Sequence, residues 1–142
     1  MTTKESLEIA IRALLEKTDH CSFVEIEREL DRLGLEYSGQ LCIHLPEYEN
    51  IILWAGMSKD YTEAIRGLMK DFCTVPCSPL VYMIDGKCLT FPLVKSLRQY
   101  RTEHWQSCVF RSRQAFEASG GWRTVVKQSK RNRLGNGTFE RI

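Results

Sequence analysis

The chain has 142 residues, a mass of 16.5 kDa and a formal net charge of +2, with 43% hydrophobic and 27% charged residues. This composition excludes a wholly disordered chain, and the length is enough for one domain whose core needs no metal or disulfide support. There is no run of 18 apolar residues, so no membrane-spanning helix is predicted. Charged residues stand where a signal peptide needs its apolar segment, which favours a cytoplasmic protein: Lys4, Glu5 and Glu8.

The small net charge hides a strong asymmetry along the chain. Residues 1–60 carry six Lys/Arg and twelve Asp/Glu, a net of −6, whereas residues 95–142 carry eleven Lys/Arg and three Glu, a net of +8. Such asymmetry is typical of proteins with an anionic partner, most often nucleic acid. The alternative is a solvated basic tail that only keeps the chain soluble.

Two amphipathic helices are predicted first. Thr2 and Glu5 form a capping-box pair ahead of a helix that runs to about Lys17. Ser22 repeats the signal for a second helix, which Gly34 ends. This second helix is acidic, with Glu25, Glu27, Glu29 and Asp31.

The pattern then predicts a hairpin, a helix and a second hairpin. Residues 41–45 alternate in polarity and residues 51–54 are continuously apolar, as expected for two strands joined by a turn. A helix follows from Ser58, with its core face at Tyr61, Ala64, Ile65, Leu68 and Phe72. Asp85-Gly86, between the apolar runs 80–84 and 87–91, is a strong hairpin signal. The fold class is therefore α+β, in the order helix, helix, hairpin, helix, hairpin.

Three regions are predicted: an α+β domain over 1–94, an extension over 95–118 that packs on it, and a basic tail over 119–142. Within the extension, residues 104–111 suit a strand and residues 113–118 a short helix. The Ser-Gly-Gly run at 119–121 resembles a linker.

From about Ser58 to Val94 the chain resembles the second half of a winged-helix domain, in which a recognition helix leads directly into a β-hairpin wing. Residues 4–34 are similar to the first two helices of that domain. The segment 35–57 departs from the family, which joins its second and third helices by a short turn. The resemblance implies a regulatory protein whose helix from Ser58 reads the major groove of DNA.

The predicted nucleic-acid contacts lie on this helix, on the wing and in the tail. Lys59, Arg66 and Lys70 share one stripe of the helix, with Thr62 at its edge, and Lys87 is near the wing tip. Glu63 shares the stripe. The alternative to a nucleic-acid contact is therefore an ordinary exposed helix face that carries charges of both signs. The tail interleaves cations with aromatic residues, which suits phosphates and unpaired bases: Trp122, Arg123, Lys127, Lys130, Arg131 and Arg133.

Duplex DNA is the favoured partner, with RNA as an alternative ligand. The alternative function is a non-catalytic protein-interaction module, such as an inhibitor or accessory subunit encoded on a mobile element. It would dock on a larger protein or on a second copy through its acidic second helix or its basic tail.

No enzyme and no cofactor are predicted. The chain has no phosphate-binding loop, glycine-rich dinucleotide turn or zinc-protease motif. His104 and Cys108 would meet only if their segment were helical. Four soft side chains (Cys42, His44, Cys73 and Cys77) have a spacing that is weak for zinc, so no metal site is assigned.

Overall fold

A computed structural model describes residues 1–121, which form a mixed α+β structure. The elements in chain order are α1 (Thr3–Lys17), β1 (Cys21–Ser22), α2 (Phe23–Leu33), β2 (Ser38–Leu45), β3 (Tyr48–Met57), α3 (Lys59–Leu68), β4 (Phe72–Pro76), α4 (Leu80–Met83), β5 (His104–Trp105), β6 (Cys108–Ser112) and α5 (Arg113–Ala118). The α+β class predicted from the sequence is confirmed.

The first two helices begin and end where their capping residues predict. Thr2 and Glu5 form a complete capping box, in which each side chain bonds the backbone N–H of the other residue. Ser22 Oγ accepts a hydrogen bond from the N–H of Glu25 at the start of α2. Gly34 ends α2 in the left-handed region, with φ of 71°, which glycine adopts without steric cost.

The strands form two three-stranded sheets. In the first sheet β6 is central, antiparallel to both β1 and β4. The second sheet has the order β2-β3-β5, with the predicted hairpin β2–β3 antiparallel and β5 parallel to β3. The predicted strand over 104–111 is therefore two strands in different sheets. The short helix predicted over 113–118 is confirmed as α5.

The second predicted hairpin, the wing, is wrong. Residues 80–83 form α4, and Asp85-Gly86 lies in the turn that ends it, where the Gly86 N–H donates to the Met83 carbonyl. The long-range partner of β4 is β6 instead, in a register that pairs Phe72 with Ser112. The chain between these two strands, residues 77–107, is called the connecting segment below.

The connecting segment packs on the β2–β3 hairpin. β5 pairs with Ile51 and Ile52 of β3, and the Gln106 N–H donates to the Ile52 carbonyl at 3.0 Å. Asn50 Nδ2 donates to the Tyr100 carbonyl at 2.7 Å, at the edge of a small apolar cluster of Ile51, Val94 and Tyr100. Residues 35–57, which depart from the winged-helix order, and the connecting segment, which replaces the predicted wing, thus stabilise each other.

The main core is built around an aromatic cluster. Trp54 of β3 stacks on Phe23 of α2, with ring centroids 5.4 Å apart, and also contacts Tyr82 and Trp105. Tyr82 Oη donates to the Cys108 carbonyl at 2.6 Å and accepts from the Phe23 N–H at 3.1 Å. The cluster therefore ties α2, β3, α4 and β6 together.

Candidate nucleic-acid interface and the adjoining groove

The exposed face of α3 carries the charged stripe that the sequence predicts. Ser58 caps the helix by accepting from the Tyr61 N–H at 3.1 Å, and the opposite face of α3 is buried against α1 and β2. Lys59 and Arg66 are exposed, Lys70 lies exposed just past the end of the helix, and Glu63 is half-buried between them. The helix and the turn after it therefore carry three exposed cations and two half-buried carboxylates, those of Asp60 and Glu63.

Thr62 and Lys87 are not part of this face. Thr62 is only 4% exposed, and its hydroxyl donates to the Lys59 carbonyl at 2.8 Å, because the edge of the helical stripe turns into the core. Lys87 is exposed in the turn after α4 and not at a hairpin tip, because the wing strands do not form there. The other predicted contacts lie outside the described residues: Trp122, Arg123, Lys127, Lys130, Arg131 and Arg133.

Arg113 is the cation that the sequence analysis did not assign to this surface. Its Nε donates to the Lys70 carbonyl at 3.0 Å and its Nη2 to the Met69 carbonyl at 2.7 Å. Its backbone N–H also donates to the Asp71 carbonyl at 2.9 Å. The guanidinium thus bonds the carbonyls that follow α3, where a positive charge is favourable. The pairing of β4 with β6 brings residues 72 and 112 together and so delivers Arg113 to this point.

A groove of about 500 Å³ lies between the end of α3, β2 and the start of β4. Its apolar lining includes Ile43, Leu53, Met69 and Phe72, and its polar lining includes His44, Thr74, Arg66 and Arg113. Among the described residues that line it there is no Asp or Glu. Nδ1 of His44 lies 2.7 Å from the Leu45 carbonyl oxygen, and this contact fixes the orientation of the ring. The second ring nitrogen, Nε2, takes no part in this contact.

Four arginines of residues 1–121 form ion pairs with carboxylates of this part of the chain, whereas Arg66, Arg98, Arg101 and Arg113 do not. Arg12 pairs with Asp71, Arg28 with Asp85, Arg32 with Glu29 and Arg111 with Asp19. Within the same residues, Arg66, Lys70 and Arg113 form no ion pair with a carboxylate. Their charge is therefore not neutralised by a carboxylate contact in this part of the chain. These three residues are called the cationic cluster below.

The acidic face predicted for α2 is only partly exposed. Glu27 is 9% exposed and accepts hydrogen bonds from Trp54 Nε1 at 2.6 Å and from Tyr61 Oη at 3.2 Å. Burial raises the pKa of the Glu27 carboxyl above its ordinary value, while these two bonds oppose the rise. Glu27 therefore links α2 to β3 and α3, and only Glu25, Glu29 and Asp31 remain to give α2 an acidic surface.

An apolar patch lies on α4. Tyr82 is buried, but Leu80 is 62% exposed and Ile84 is 84% exposed, with Val81 and Met83 also exposed. Four large apolar side chains in five consecutive residues are unusual on a protein surface and are typical of a protein contact. The patch is not predicted from the sequence, because the apolar run 80–84 before Asp85-Gly86 favours a strand of the second hairpin.

The cysteines and histidines do not converge on a reactive centre within residues 1–121. Burial raises the pKa of Cys21 to about 12 and of Cys77 to about 11, so these thiols stay protonated at neutral pH. The His104 ring stacks on Tyr100, whereas Cys108 is buried beside Tyr82. No group of three or more His, Cys, Asp or Glu in this part of the chain is arranged to hold a metal ion.

Comparisons with protein-family models, with curated proteins and with solved structures gave no match. In the portion of the chain that the structure describes, no helix has the length and apolar character required to cross a bilayer.

Proposed function

We propose that this chain is a small nucleic-acid-binding regulatory protein of winged-helix type. It contacts phosphates through the cationic cluster and through the basic segment 122–142. The observation that carries the proposal is the cluster itself, in which three cations lie at the end of α3 and form no ion pair with a carboxylate of residues 1–121. Arginine and lysine in such a position provide the sequence-independent part of nucleic-acid affinity.

The part of the fold that supports the winged-helix type is α3 with the strand pair that follows it, whereas the order of the other elements departs from that type. α3 leads directly into β4, and β4 pairs antiparallel with β6, so a helix followed by two paired strands is present. The connecting segment replaces the tight wing tip that the sequence predicted. Duplex DNA is the favoured ligand on this reading, because the exposed stripe of α3 has the character of a groove-reading helix.

The experiment is a salt titration of binding to labelled duplex DNA, single-stranded DNA and RNA. We expect an Arg66→Ala/Lys70→Ala double variant to bind more weakly, and the slope of log K against log salt to fall in magnitude by about 1 for each residue removed. The matched control is Lys17→Ala, which removes an exposed cation at the end of α1, near the acidic α2. Equal slopes for the double variant and the control would contradict the proposal.

The second candidate function is a protein-interaction module, and the apolar patch on α4 favours it. In this case a larger protein would cover Leu80 and Ile84. We expect a Leu80→Ser/Ile84→Ser variant to lose a stoichiometric protein complex while keeping its fold, measured by co-purification and circular dichroism. A complex that survives both substitutions would exclude the patch as the docking site.

A further inference from the structure

We infer that the groove beside α3 binds a small organic anion, with an oxyanion head at Arg66 and Arg113 and an apolar body over Ile43, Leu53 and Met69. This is a ligand site in addition to the proposed nucleic-acid contacts. The inference does not depend on the proposed nucleic-acid contacts, because ligand binding is tested in the absence of nucleic acid.

The size and lining of the groove suit such a ligand. Its volume of about 500 Å³ lies within the range of about 300–1,000 Å³ that small-molecule sites occupy. A mostly apolar lining with a few convergent polar groups is also usual for these sites. The groove on α1 has the opposite character, because Glu5, Glu8 and Glu16 line it together with a single arginine.

The charges at the rim select an anion. Among residues 1–121, two guanidinium groups line the groove and no carboxylate does so, which leaves their charge available to a ligand. Arg113 is held in place by the carbonyls of Met69 and Lys70, so it loses little conformational freedom when a ligand binds. Arginine donates paired, coplanar N–H groups that match the two oxygens of a carboxylate or phosphate.

The polar groups within the groove give it further selectivity. His44 keeps its orientation through the contact of Nδ1 with the Leu45 carbonyl, and Nε2 is the ring atom that can meet a ligand. Thr74, on β4 of the other sheet, adds a hydroxyl to the lining. Together they allow the ligand to carry a polar substituent besides its acidic head.

The test uses the full-length chain at low salt and four probes in NMR and calorimetric titrations: phenyl phosphate, benzoate, benzamide and inorganic phosphate. We expect phenyl phosphate or benzoate to bind at least tenfold more tightly than both neutral benzamide and inorganic phosphate. The first two probes distinguish a phosphate head from a carboxylate head. The backbone resonances of residues 43–45 and 73–74 should shift.

Substitutions inside the groove, compared with one outside it, locate the site. Arg66→Ala, an exposed position, should weaken binding of the better organic anion at least tenfold, and Lys17→Ala should leave it unchanged. Thr74→Trp should block the groove and so abolish binding of the organic anion. If circular dichroism shows that this variant does not fold, Met69→Trp replaces it.

Four results would overturn the inference. They are no binding of either organic anion at millimolar concentration, equal binding of benzamide, equal binding of inorganic phosphate, and unchanged affinity in Arg66→Ala. Equal binding of inorganic phosphate would mean that the arginines bind anions in general and that the apolar lining of the groove binds no organic group.

Discussion

A Trp54→Ala variant is expected to lose about 3–5 kcal/mol of unfolding free energy, the usual cost of deleting a large buried aromatic side chain. The ring is 4% exposed and contacts Phe23, Tyr82 and Trp105, so its removal opens a cavity where α2, β3 and α4 meet. The variant also deprives the Glu27 carboxylate of its 2.6 Å bond. Because small domains have about 5–15 kcal/mol in total, this loss would be a large part of the stability.

Urea denaturation followed by circular dichroism measures this loss. Trp54→Phe is the variant to compare with Trp54→Ala. It keeps an aromatic ring but removes the N–H group that donates a hydrogen bond to Glu27. We expect it to cost about 1–3 kcal/mol, the penalty for a buried polar group that loses a partner. A loss below about 1 kcal/mol in Trp54→Ala would show that the aromatic cluster does not hold these elements together.

Ending the chain at Gly121 is expected to weaken nucleic-acid binding roughly a hundredfold or more at low salt, since several phosphate contacts are lost together. The removed residues contain six Lys/Arg and one Glu: Arg123, Lys127, Lys130, Arg131, Arg133 and Arg141 against Glu140. Each lost phosphate contact should reduce the magnitude of the salt slope by about 0.9 on duplex DNA.

The control is a full-length chain in which Lys127, Lys130, Arg131 and Arg133 are changed to Gln. It removes charge without removing length, so it should reproduce most of the loss if the segment acts through its cations. A shortened chain with the affinity and salt slope of the full-length protein would leave the cationic cluster as the main contact. If neither chain binds nucleic acid at low salt, the protein-interaction function takes precedence.

The sequence predicts best the elements that are decided by neighbouring residues. Both capped helices, the β2–β3 hairpin and the helix after Ser58 depend on caps and on periodicity, and all are present. Asp85-Gly86 shows the limit of this reasoning. The same dipeptide suits a hairpin tip and the turn after a short helix, and only the distant pairing of β4 with β6 decides between them.

The sequence predicts only the part of the candidate site that lies on one helix, because the rest depends on distant contacts. Arg66 and Lys70 follow from the period of one helix, whereas Thr62 at the edge of the stripe is buried by tertiary packing. Arg113 and His44 reach the groove only through the strand register and through the placement of the hairpin beside α3. No local sequence pattern predicts that Arg113 or His44 lies in the groove.

The pairing of β1 with β6 also governs when this protein can fold. β1 has only two residues, and its partner strand contains Val109 and Phe110; the ion pair beside it joins Asp19 to Arg111 across 92 positions. During synthesis, α1 and α2 leave the ribosome long before β6 exists, and the parts of their apolar faces that pack on β6 stay uncovered until then. A chain with such distant contacts is expected to fold slowly and late, and to depend on protection from aggregation until residue 112 has emerged.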